Sequence, residues 1–324
     1  MKKSSFLVLM ASLAFAFSGP GWAATVLKLS VTLPDGNPTT EALKYMGQLA
    51  REKSNGELDV QVFGSSSLGT ATEAVEMMQL GTLEMGLISA GPVAQFAPEW
   101  EIFSLPYVFR DTSHMFSALD GAFGKAMEEA INRQDVVFLG WTDAGNRNVI
   151  TAKKAIYAPE DLRGLKIRVM NSKLMVDTLN AMGSIATPMD QGEVYSAIQQ
   201  SVIDGWENNP VTLFTLKLYE VSPYFSWTRH FMTPDALLVS EIVFKKLSPK
   251  NQEILKEAAR TACEKQHADW TAYIGGVVSD LEKAGVKFNE VKDIDAFVKA
   301  VEPVKEAYKK KHGARFLDMI DGAK

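Results

Sequence analysis

Short apolar runs alternate with amphipathic helical runs along the first half of the chain, and this alternation limits the fold more than any other sequence feature. Leu27 to Leu33, Leu58 to Phe63 and Met85 to Ile88 read as strands, and Thr39 to Lys53 and Ala71 to Leu80 between them read as helices. Leu43, Met46, Gly47 and Ala50 fall on one face of the first helix, and Asn55-Gly56 follows it as a left-handed cap would. Strand, helix, strand in this order is the pattern of an α/β fold with a largely parallel sheet. A second block repeats it: Val136 to Trp141, Val149 to Thr151, Leu165 to Met170, helical Leu174 to Met182 and helical Glu193 to Gln200. That block predicts a second lobe. Helical spacing then runs from Ser248 to about Lys283 and from roughly Asp293 to Lys311.

The first 23 residues stand apart. Lys2 and Lys3 precede an apolar stretch from Phe6 to Phe17, and Gly21-Trp22-Ala23 follows, the order of a secretory signal peptide. The expected location is the periplasm. Without the leader the formal charge moves from −5 to −7, with no basic tract, so nucleic acid and anionic membrane surfaces are not expected partners. About 300 residues favour two domains over one. Cys263 is the only cysteine and reads as a small buried hydrophobe. His114, His230, His267 and His312 show no metal-ligand spacing, and no HExxH, GxSxG, P-loop or GxGxxG is present; no metal or cofactor is expected, and this disfavours an enzyme, although an isolated acid/base pair among the 39 acidic residues would leave no such motif.

The segment that carries chemistry is Gly164-Leu165-Lys166-Ile167-Arg168-Val169-Met170-Asn171. Leu165, Ile167 and Val169 share one strand face and Arg168 takes the other. A mid-strand arginine in a covered sheet needs an anion, and its planar fork matches a carboxylate, so Arg168 is either a ligand-carboxylate binder or the partner of a structural acid. Two polar clusters read as connections: Gly145-Asn146-Arg147-Asn148, and Asp204-Gly205-Trp206-Glu207-Asn208-Asn209-Pro210. Asn208 has both a donor and an acceptor, and Trp206 offers a face to a sugar ring or fills a core. Gly64-Ser65-Ser66-Ser67 is an anion loop or a plain turn.

These segments resemble the solute-binding proteins of tripartite ATP-independent periplasmic (TRAP) transporters, the DctP-like group. The likeness is carried by Arg51 to Gly56, Ser67-Leu68-Gly69, Glu101 to Tyr107, Leu162 to Arg168, Pro188-Met189 with Glu193 to Ala197, and Asp204-Gly205 with Glu207-Asn208. The resemblance implies a two-lobed periplasmic-binding-protein fold, type II-like, with mixed sheets, a hinge and a long lobe-spanning helix. The expected division is 24–146 plus about 235–274 for the first lobe and 147–234 plus about 275–324 for the second. It also implies that Arg168 forms the principal salt bridge to a ligand carboxylate, that Arg147 and Asn208 complete that site, and that the bound protein docks on a two-part membrane permease. Glu207-Asn208-Asn209-Pro210, Tyr219-Glu220-Val221 and Pro234-Asp235-Ala236-Leu237 look more like members that bind uronates than dicarboxylate binders. Glu73 is the candidate acceptor for sugar hydroxyls, or else a helix-start acid favoured by the dipole. Asn37, Asn146, Asn148, Asn171 and Trp206 are further pocket candidates. The expectation is a monomer that captures a hexuronate; the alternatives are a C4-dicarboxylate, 2-keto acid or aromatic acid binder and, more distantly, a secreted sugar-acid-converting enzyme.

Overall fold

A computed structural model describes residues 24–323. The expected signal peptide lies outside the described residues.

Eleven strands are described, and they form two sheets. The first holds β1 (Thr25–Val31), β2 (Leu58–Phe63), β3 (Met85–Ser89), β4 (Val136–Thr142) and β10 (Asp235–Ser240), in the order β2-β1-β3-β10-β4. The second holds β5 (Asn146–Thr151), β6 (Lys166–Val169), β7 (Ile185–Pro188), β8 (Gly205–Asn208), β9 (Tyr224–Met232) and β11 (Lys287–Glu290), in the order β11-β9-β5-β8-β6-β7. The early strands pair in parallel through crossover helices, as the alternation requires, with Leu27 opposite Val60 and Leu29 opposite Met85. Both sheets are nevertheless mixed. β10 runs antiparallel to β3 and β4, and β5 runs antiparallel to β8 and β9. The reason is connectivity: the chain crosses between sheets at 143–145 and returns at 233–234, so each sheet receives a strand from the opposite direction.

Packing explains the helices. Pro38–Lys53 starts at Asn37, whose side chain accepts from the Thr39 N–H at 3.0 Å, and ends where Asn55 and Gly56 take positive φ. The helix Pro249–Lys283 would span about 52 Å at 1.5 Å per residue. Its early turns bury Leu255, Ala258, Ala259, Ala262 and Cys263 in the first lobe's core, and its later turns bury Val277 and Leu281 in the second. Burial also pushes the Cys263 thiol up to about 12, in keeping with an inert core residue. Where one helix was expected from Asp293 to Lys311, two form, Ile294–Ala300 and Glu302–His312, with a proline opening the second.

We propose the crossings at 143–145 and 233–234 as the lobe boundary. We propose further that the last helix belongs with the first lobe. The helix Arg315–Asp321 packs on Thr112–Asp120 and Ala122–Asn132 of the first lobe, because Phe316, Leu317, Met319 and Ile320 find their apolar cover there.

Candidate functional site

A cleft opens beside the crossings, lined from both lobes by Thr32, Ser89, Asp235, Arg147, Arg168 and Asn208 among others. It encloses a cavity of about 70 Å³ that opens to solvent.

Two buried arginines dominate it, and they differ in kind. Arg147, at the start of β5, is 4 % exposed and is held by Glu207 of β8, itself fully buried. Its Nε donates to Glu207 Oε2 at 2.5 Å, and its Nη2 to Oε1 at 2.8 Å and to the Glu207 carbonyl at 2.9 Å. The antiparallel register places Asn148 opposite Asn208 and so brings the two clusters together. His230 stands 3.9 Å from the same carboxylate but does not share its charge. Burial, with Arg147 adding to it, pulls the imidazole down to about 3, so it is neutral.

Arg168 has no such partner. It is 2 % exposed; its Nε donates to the Met189 carbonyl at 2.7 Å and its Nη1 to Gln191 Oε1 at 3.3 Å. Among the described residues no carboxylate comes within ion-pair distance of it and Nη2 has no protein acceptor. Burial lowers its pKa to about 10, against the opposing pull of Glu207, with Arg147 reinforcing the drop and Asp190 and Glu193 resisting it. Of the two readings open for this residue, the structural-acid partner is not found. Ile167 and Val169 face the core from the other side of β6, as the alternation predicts.

Further donors without partners line the same cleft. Gln191 Nε2 and Trp270 Nε1 are buried and unbonded, and both residues line the cleft. Asn208 Oδ1 accepts from the Asn209 N–H at 2.8 Å, which turns its amide nitrogen free of protein acceptors. Asn171 also lines the cleft and donates to Asp190 Oδ1 at 3.1 Å. Buried donors are expensive to leave unmade, so acceptor oxygens placed in this cleft would offset that cost.

The other sequence candidates stand outside the cleft lining. Glu73 is exposed and closes a capping box, accepting from the Thr70 N–H at 2.8 Å, which holds its carboxyl below the usual range. Asn37 is a helix cap whose amide also donates to Thr215 at 3.2 Å. Asn148 is fully buried, donating to the Asn146 carbonyl at 2.8 Å and accepting from the Arg229 N–H at 2.9 Å. Asn146 leaves its own Oδ1 unbonded. Trp206 is fully buried in the second lobe's core, its indole bonded to Ser222 at 3.0 Å. The Asp204 to Pro210 segment is thus mainly a central strand, not a connection, and its alternation turns Trp206 away from Glu207. In the Gly64 to Ser67 loop the amides of Ser65, Ser66 and Ser67 bond to carbonyls of Leu33, Val31 and Gly64, so it is a turn. Asp143, Asp190, Gln191, Asp235 and Trp270 line the cleft without having been singled out as site residues; only Asp235 carried a signal, inside the Pro234-Asp235-Ala236-Leu237 segment.

The sequence model of DctP, bacterial extracellular solute-binding protein family 7, matches residues 29–311. The chain belongs to this family. Among solved members, a TRAP periplasmic solute binding protein from Citrobacter koseri with bound D-glucuronate is 37% identical at a TM-score of 0.88, over 93% of this chain and 100% of that one. One from a Sulfitobacter species with bound β-D-galacturonate is 33% identical at 0.88, over 92% and 98%. One from a Polaromonas species bound to D-erythronate is 30% identical at 0.90, over 93% and 99%. DctP proteins are transporter solute-binding proteins.

Proposed function

We propose that this chain captures a hexuronate such as D-glucuronate or D-galacturonate in the periplasm, as a monomer, and delivers it to a TRAP membrane permease. One observation carries the reading: Arg168 is a buried cation without an ion pair, set in a cleft of unbonded donors. A ligand carboxylate would supply the missing charge and two acceptors for the guanidinium fork and the Asn208 amide. Because the cleft is walled by both lobes, a ligand held there favours whichever lobe arrangement wraps it, so affinity includes the closed-state population. Ring oxygens would take the Gln191 and Trp270 donors. The glucuronate- and galacturonate-bound relatives support the sugar-acid choice.

The test is the melting temperature of 24–324 against D-glucuronate, D-galacturonate, D-erythronate, malate and pyruvate. Ligand at about a hundred times its Kd adds roughly 2.7 kcal/mol, which for this length raises the melting point by about 5 °C. A rise with the hexuronates and none with malate or pyruvate is the expected result. A rise with erythronate alone moves the ligand to a shorter sugar acid, and one with malate or pyruvate alone overturns the sugar reading. Ligand recovered unchanged from the protein, by mass spectrometry, separates capture from conversion.

A further inference from the structure

Two carboxylates that the carboxylate site does not use stand where the chain crosses between the lobes. Asp143 lies in the 143–145 crossing and Asp235 opens β10 directly after the return crossing; both line the cleft. The sheet register places Asp235 opposite both Thr142 and Ser89, so the acids are neighbours across adjacent strands.

We propose that Asp143 and Asp235 form an acidic floor that accepts hydrogen bonds from ligand hydroxyls and rejects a second carboxylate, restricting the site to monocarboxylic sugar acids. This deepens the hexuronate reading and rests on it. The argument is one of unmet acceptors and spent cations. One oxygen of Asp143 accepts from the Gly145 N–H at 2.7 Å, and the other has no protein donor among the described residues. Asp235 stands across from Ser89, whose hydroxyl favours its charged form. Carboxylates are pure acceptors and hydroxyls are the neutral donors a sugar brings. A second ligand carboxylate would bring acceptors alone.

The available cations do not rescue such a ligand. Arg147 acts on Asp235, yet one edge of its guanidinium is already held by both oxygens of the Glu207 carboxylate, and its Nη1 lies 3.5 Å from Asn208 Oδ1. Arg168 leaves β6 beside Met189 and Gln191, whereas Asp143 and Asp235 stand at the two crossings, so the unpaired cation and the acid pair come from different elements of the cleft wall. Burial pushes both acids up to about 6, which shows how poorly the floor already hosts negative charge. Discrimination by a built-in repulsive group is an established way to specificity.

The experiment compares D-glucuronate with D-glucarate, which carries a second carboxylate, by calorimetry at pH 8. The proteins are the wild type, Asp235→Asn and Asp143→Asn, each checked for folding by its melting curve, so that either variant carries the test. The wild type should prefer glucuronate by a hundredfold or more. Each folded variant should bind glucarate at least tenfold more tightly than the wild type does, while glucuronate holds or weakens. Glucarate affinity no higher in the folded variants overturns the inference. A wild type that ignores glucuronate while glucarate affinity rises in the variants overturns the hexuronate reading and upholds the acidic floor.

Discussion

Replacing Arg168 by methionine should make the ligand-free protein more stable and blind to its ligand. Burial lowers the guanidinium from its ordinary value to about 10 in the fold. A base whose folded pKa is depressed costs stability at every pH below that value, and the cost is relieved only as pH rises above about 10. At roughly 1.4 kcal/mol per unit the charged form costs about 3 kcal/mol at neutral pH. Methionine fills the stem's space without the charge but abandons the bonds to the Met189 carbonyl and Gln191, worth about 1 kcal/mol each. The net gain is about 1 kcal/mol, or about 2 °C in melting temperature for a chain of this length. The same change removes charge-assisted contacts of about 1.5 to 3 kcal/mol each, so affinity should fall by at least about a hundredfold. Differential scanning calorimetry without ligand and titration with D-glucuronate read the two halves. A ligand-free melting point several degrees below wild type would mean that Arg168 is already paired, and unchanged affinity would remove it from the site.

Three further outcomes follow from the same geometry. Glu207→Gln strips the anion from a buried ion pair and leaves Arg147 and Arg168 both uncompensated; urea unfolding should show a loss of about 3 to 5 kcal/mol at unchanged slope, and a loss under 1 kcal/mol would refute the pairing. Glu73→Gln should cost about 1 kcal/mol or less through the capping box and leave hexuronate affinity unchanged, whereas a tenfold weakening would return Glu73 to the site. Acids raised in the fold bind protons before the unfolded chain does, so Asp143 and Asp235 cost stability above about pH 6 and the cost fades as pH falls toward 4. Ligand-free Asp235→Asn should therefore exceed wild type in stability at pH 7.5, by up to about 3 kcal/mol, and lose that advantage by pH 4.5; parallel stability curves would contradict it.

Much of this fold is legible in the sequence where signals are local. The strand expected at Leu58 to Phe63 forms over those residues, and the helices expected at Thr39 to Lys53 and from Ser248 to Lys283 shift by a single residue at their starts, because period, cap and proline agree there. β8 was not legible: four residues, two of them Glu207 and Asn208, lack strand propensity and form a strand only because β5 and β6 flank them. Arg168 stood out because an arginine among apolar strand residues is costly by itself. Asp143 and Asp235 did not, since an acid's burial depends on two crossings that are distant in sequence and adjacent in space. Glu73 reads two ways in the sequence, as a capping acid and as a ligand-facing one, and the Thr70 bond that makes the capping box is visible only in the fold.

The central claim, that Arg168 waits for a ligand carboxylate, is tested most directly by the crystal structure of the protein grown with D-glucuronate. The account predicts the carboxylate oxygens within hydrogen-bond distance of the Arg168 guanidinium and the Asn208 amide, with hydroxyls on Asp143 and Asp235. A sugar bound with its carboxylate elsewhere, while Arg168 still bonds only Met189 and Gln191, would contradict it.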